Sequence, residues 1–202
     1  MRADLRHAAF ADPAFLERLD AEFATLFVAA VDAYASDPQT APRAWVPLFE
    51  ARSRRGIAPL QFALAGMNAH INRDLPVALV GTCTALHHEL SPGSPQHADY
   101  ERVNDVLARV ESRLKAKYVT GWLNALDRLL HRCNRLDDVI AMWNVRAARE
   151  AAWFHGQALW ALRGDARLTA SYVDTLDRSV SLASRGLLIP ADTFLRRLAR
   201  RL

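Results

Sequence analysis

Between Gly56 and His88 the chain carries two full charges, Arg73 and Asp74, with histidine counted as neutral. Apolar residues in this stretch recur at three and four positions and do not alternate, which marks helix and not strand. A helix that is apolar on nearly all sides cannot lie on a surface, so the stretch predicts a central, buried element. Pro76 removes a backbone donor and disfavours helical geometry at Leu75. It therefore predicts a break or kink that divides the stretch into a central pair.

Helical spacing continues elsewhere. Asp12-Pro13 reads as an N-cap followed by proline at the first helical position, opening a helix through Phe15, Leu19, Phe23, Leu26, Phe27 and Tyr34 that stops at Ser36-Asp37-Pro38. A short segment follows around Trp45-Val46-Pro47-Leu48-Phe49. The Ser-Pro-Gly-Ser-Pro-Gln stretch at 91–96 is a loop separating two packed halves. Beyond it, spacing predicts a helix from about Asp99 to Tyr118 continuing to Cys133, interrupted near Thr120-Gly121. Another is capped at Asn134 to Asp137 and reaches Leu162, one is capped by Asp165 and ends near Ser184, and the last starts at Pro190. With 202 residues, 51% of them hydrophobic, the chain can bury one sizeable core. The expected fold is all-α: a single domain over 1–202, a bundle of about seven or eight helices around a central apolar helix pair. No strand, internal repeat or low-complexity segment stands out.

The formal charge of +4 and a pI near 9.5 suggest a polyanionic partner only weakly. All basic residues except Lys115 and Lys117 are arginine, and the densest cluster, Arg196, Arg197, Arg200 and Arg201, suits a solvated last helical turn. No short helix with a basic, polar recognition face is evident, so nucleic acid is not an expected partner. Cys83 and Cys133 form neither a disulfide framework nor a zinc motif. The segment MRADLRHAAFADP lacks an apolar signal-peptide run, and LPVALVGTCTAL is too short to span a bilayer. A soluble, cytoplasmic protein is expected, without membrane association.

The polar residues inside the apolar stretch need an explanation. GMNAHINRDLPVAL, Gly66 to Leu79, holds Asn68, His70, Asn72, Arg73 and Asp74. On a helix His70 shares a face with Ala63, Gly66, Met67, Arg73 and Asp74, and the small residues leave room beside the ring. Asp74, four positions on, can hold one imidazole nitrogen and present the other, an arrangement used by general bases and metal ligands. Gln61, Asn68 and Asn72 fall on the opposite face. Each must find a partner there, because an unpaired buried amide costs roughly 1–3 kcal/mol. A purely structural account stands beside the functional one: Asp74 caps the helix beginning at Leu75-Pro76, Arg73 pairs with a carboxylate, and the asparagines bond backbone at a kink.

WNVRAAREAAWFHGQALW, Trp143 to Trp160, mixes charge with indoles. Trp143, Arg146, Arg149, Glu150, Trp153, Gln157 and Trp160 share one broad helical side. Arginine stacked on an aromatic ring and aimed inward suits a carboxylate, phosphate or enolate. The alternative is an aromatic core stripe from which Arg146 and Arg149 reach the surface. Metal binding is a further reading, through His70 with Asp74, His97 with Glu101 and Asp105, or His87, His88 and Glu89. Neither a Glu-x-x-His pair nor a His-Glu-x-x-His occurs, and no resident metal or cofactor is expected. There is no glycine-rich phosphate loop, nucleophile elbow or activated cysteine.

AWVPLFEAR (Ala44 to Arg52), IAPLQFALAGMNAHINRDLPVAL (Ile57 to Leu79), DYERVNDVLARVE (Asp99 to Glu111) and AAREAAWFHGQALW (Ala147 to Trp160) together resemble an uncharacterised, largely actinobacterial family of all-helical proteins. The resemblance spans nearly the whole chain and marks Asn68, His70, Asn72, Asp74, Asn104, Arg149, Glu150 and Trp153. It implies fold and bacterial origin and supplies no reaction.

The expected function is acid/base chemistry on an apolar or anionic metabolite, as in a cyclase, isomerase, lyase or hydrolase of bacterial secondary metabolism. His70, Asp74 and Glu150 are the expected catalytic residues. Arg149, Trp153, Asn68, Asn72, Asn104, Trp45 and Trp143 are expected to bind the substrate. The alternatives are a non-enzymatic helical module with a structural polar network, binding a ligand or another protein, and a metal-dependent hydrolase. The expected partners are a small molecule and, as an option, a second copy of the chain in a homodimer.

Overall fold

The computed structural model describes residues 10–107 and 144–190. Helix α1 (Pro13–Ser36) starts where the Asp12 carboxylate accepts the Phe15 N–H at 3.0 Å and ends where the Asp37 N–H donates to the Ala33 carbonyl at 2.8 Å. A short α2 (Val46–Ala51) follows, and α3 (Pro59–Ala69) begins after Ala58, whose N–H donates to the Gln61 side chain at 2.8 Å.

The expected break at Pro76 is absent. A π-helical turn (His70–Asp74) joins α3 to α4 (Leu75–Leu86), and every residue reported at the two joints keeps right-handed helical angles. The Leu75 N–H reaches back five residues to the His70 carbonyl. Widening the turn there accommodates a proline that cannot donate to Asn72, so the two α-helices run on through the π-turn as one continuous helical rod without a break. Asp74 makes no side-chain cap at α4, contrary to the structural reading above. Helix α4 closes at His87, which is left-handed with φ 55°, and the His88 N–H donates to the Cys83 carbonyl at 2.9 Å.

Residues 95–107 are helical (α5). Helix α6 (Val145–Leu162) is capped by Asn144 through the Ala147 N–H at 3.1 Å, and α7 (Ala166–Leu187) is capped by Asp165 through the Arg167 and Leu168 N–H groups. Six α-helices have both ends among the described residues, against the seven or eight expected, and no strand is found among those residues. The helices expected over 108–143 and beyond Pro190 lie outside them.

The rod is central in two different ways along its length. Its α4 half packs between α1 and α6, where Phe15, Leu19, Leu75, Leu79, Tyr100, Ala152 and Trp153 share a core. Its α3 half packs on α7. There Gln61 Nε2 donates to the Leu187 and Ile189 carbonyls at 2.7 and 2.9 Å, and Asn68 Nδ2 donates to the Val180 carbonyl and Ser184 Oγ at 3.0 and 2.9 Å. Buried Asp99 ties the start of α1 to α5, accepting from the Ala11 and Asp12 N–H groups at 2.9 and 2.6 Å. The helices following the 91–96 loop thus pack on the rod that precedes it. Among the described residues no helix is long and apolar enough to cross a membrane.

Candidate functional site

The π-turn carries His70 at its first position and Asp74 at its last. The two side chains meet: His70 Nδ1 lies 3.0 Å from Asp74 Oδ2. An ionised carboxylate only accepts, so Nδ1 carries the proton in this pair, and in a neutral imidazole Nε2 is then the nitrogen with a lone pair. Asp74 is fully buried and takes two more donors, Trp45 Nε1 on Oδ2 at 3.0 Å and Arg73 Nη1 on Oδ1 at 2.9 Å. Arg73 Nε approaches Asp177 Oδ1 at 3.4 Å, an ion pair without hydrogen-bond alignment. Asp177 also accepts the Ala44 N–H at 3.1 Å, which joins α7 to the segment carrying Trp45. Burial pushes the Asp177 carboxyl above its ordinary range, against the opposing pull of Arg73 and the Ala44 N–H.

Aromatic rings set the position of the imidazole. Phe23 stacks on it with ring centroids 3.5 Å apart and planes 6° from parallel. Phe27 and Trp45 stand at 5.9 Å, tilted. His70 Nε2 has no hydrogen-bond partner among the described residues, and the side chain keeps 27% of its exposure. The result is an imidazole gripped at one nitrogen and one face, with the other nitrogen accessible. Gly66 does not open space beside it: a Cβ there would meet Leu48 Cδ2 at 3.6 Å.

A second polar centre lies between α5 and α6. Arg149 keeps 7% of its exposure, donates through Nε to Asn104 Oδ1, and holds its guanidinium carbon 4.1 Å from the Tyr100 ring centroid. Tyr100 Oη donates to the Arg149 carbonyl at 2.7 Å. Trp153, one turn along α6, stacks on His97 at 4.5 Å and meets Tyr100 at 5.0 Å. Burial raises the Tyr100 hydroxyl and lowers Arg149 from their ordinary values.

A family model matches residues 1–190. The chain belongs to DUF5995, a family of unknown function. No curated protein and no solved structure matches it.

Among the described residues of this DUF5995 chain, no hydrogen bond, ion pair or ring contact joins the Arg149 centre to the His70–Asp74 pair. His70, Asp74 and Trp45 come together. Asn104, Arg149 and Trp153 come together elsewhere. Glu150 joins neither, because it is exposed and pairs with Arg146 at 4.0 Å. Asn68 and Asn72 bond each other at 2.9 Å, and Asn68 spends its remaining capacity on α7, away from His70. Trp143 lies outside the described residues.

The expected broad polar side of α6 divides in two. Arg149 and Trp153 turn inward, while Arg146 turns out to Asp105 at 2.6 Å. Among the described residues no group of three or more His, Cys, Asp or Glu is placed to hold a metal ion. His97 instead accepts the Gly93 N–H at 3.1 Å and reaches Glu101 only at 4.0 Å. Sequence reasoning missed Phe23, Phe27 and Asp177 as neighbours of the dyad, and Tyr100 as the platform for Arg149. Tyr100 and Asn104 stand four apart on α5, a signal that was available. The other three are set by tertiary packing alone.

Proposed function

We propose that the chain is a small-molecule enzyme in which His70, oriented by Asp74, transfers a proton at Nε2 to or from an apolar metabolite. The supporting observation is the division of labour within one imidazole: Nδ1 is committed to a buried carboxylate, and Nε2 is unpartnered and accessible beside aromatic rings. A π-turn carries both residues, and such turns recur at functional sites. Arg73, balanced between Asp74 and Asp177, holds the carboxylate in place and is not offered to a substrate. The local charge, two carboxylates against one guanidinium and the imidazole, favours a neutral reacting group over an anion. Proton transfer of this kind serves an isomerase, cyclase, lyase or hydrolase, and a role in bacterial secondary metabolism is part of the proposal.

The network around Asp74 also favours a second reading, a non-enzymatic binding module, since Trp45, Arg73 and Asp177 knit three segments together. Asp74→Asn separates the two. It preserves shape and removes the charge that orients the imidazole. In the enzymatic reading it lowers turnover by about 10²–10⁴-fold in a folded protein. Unchanged turnover in that variant would remove the dyad from the chemistry, and a wild-type protein without turnover, with His70→Ala lowering Tm and sparing ligand affinity, would establish the module instead.

A further inference from the structure

Among the described residues Arg149 is a buried cation without an acidic partner. Its guanidinium lies over Tyr100, its Nε donates to a neutral amide, and it forms no ion pair among the described residues. The carboxylate that approaches this side, Glu101, is engaged by Asn104 Nδ2 at 3.2 Å and by Arg146 at 3.8 Å. Burying an uncompensated charge is expensive, and natural sites complete such an arginine with a carboxylate or another anion. Tyr100 covers the face and Asn104 the Nε edge, which leaves the Nη1/Nη2 fork. No hydrogen bond occupies that fork among the described residues. One turn along α6, Trp153 Nε1 is sealed and has no hydrogen-bond acceptor. Both side chains border the same ring, at 4.1 and 5.0 Å from the Tyr100 centroid. The Arg149 fork and Trp153 Nε1 both lack a hydrogen-bond acceptor among the described residues, and that shared lack defines the complement they require.

We infer that Arg149 and Trp153, with Asn104 and Tyr100 orienting the guanidinium, form a binding site for the carboxylate of a small organic acid. The planar fork matches a carboxylate edge-on through two parallel N–H···O bonds, and the indole N–H is the third donor. Charge selects among oxyanions. Arg146 and Arg149 stand among Glu101, Asp105 and Glu150, an environment that tolerates a monoanion and disfavours a phosphate dianion. The site is independent of the His70–Asp74 reading and uses none of its residues.

The test is thermal denaturation and calorimetric titration of the full chain with acetate and benzoate, and with inorganic phosphate and sulfate, at constant ionic strength in chloride. The expected result is a saturable rise in Tm with a carboxylate, and affinity for phosphate at least tenfold weaker. Arg149→Gln removes the response. Trp153→Phe, which deletes the N–H together with part of the indole, weakens carboxylate binding several-fold and decides the matter if Arg149→Gln fails to fold. His70→Ala leaves binding unchanged. No saturable carboxylate response in the wild-type protein, an unaltered response in Trp153→Phe, or phosphate binding as tight as carboxylate would overturn the inference.

Discussion

Asp74 has no access to solvent, and its two oxygens receive donors from Trp45, Arg73 and His70. Hydrogen bonds to a buried charge contribute more than neutral ones, because the dielectric is low and the acceptor cannot turn to water. Trp45→Phe deletes one donor to Asp74 together with part of a buried indole. It is expected to cost at least about 1.5–3 kcal/mol in urea-induced unfolding, and a loss below the error of the extrapolation would mean that the indole N–H contributes nothing to holding Asp74. At the other end of α4, His87 occupies a left-handed position that glycine adopts without penalty. His87→Gly should therefore raise stability by about 0.5–1 kcal/mol. The ring there is exposed, so little packing is lost. A fall in Tm for this variant would show that the His87 ring makes contacts outweighing its backbone strain.

Among the elements, the α6–α7 junction carries a titratable contact, His155 Nδ1 to Tyr172 Oη at 2.8 Å. Burial holds His155 below the ordinary histidine value of 6.5. The folded state then binds its proton less readily than the unfolded state does. The stability this confers is complete above pH 6.5 and is lost as pH falls from there through the folded value. Tm measured from pH 7.5 down to 5 should decline, and His155→Gln should flatten part of the decline; an unchanged slope would remove His155 as the cause. Element identity was legible in the sequence because caps and apolar spacing are local: Asp12 and Asp165 act as caps in the structure, whereas the helix that reaches Leu162 starts from Asn144 and not from the expected cap at Asn134 to Asp137. The route past Pro76 was not legible, since a proline in an apolar run announces a break. Whether the rod widens into a π-turn instead depends on partners for Asp74 that come from Trp45 and, through Arg73, from Asp177. Only tertiary packing supplies them.

For the whole molecule, the rod sorts its polar residues by the helix each side meets. The Gln61 and Asn68 side bonds α7. His70 faces the rings of α1 and Trp45, and the Arg149 centre forms on its own between α5 and α6. Sequence spacing grouped these last two into one pocket because it resolves faces of a helix and not the helices opposite them. The central claim is that the accessible nitrogen of His70 does chemistry. Incubating purified protein with a bacterial metabolite extract, and comparing the compounds consumed and formed, separated by chromatography so that isomers are distinguished, by wild-type and His70→Ala proteins of equal Tm, tests it most directly. The account predicts at least one apolar compound converted by the wild type and slowed by about 10²–10⁴-fold in the variant. Conversion at the same rate by both proteins, or no compound converted by the wild type, would contradict it.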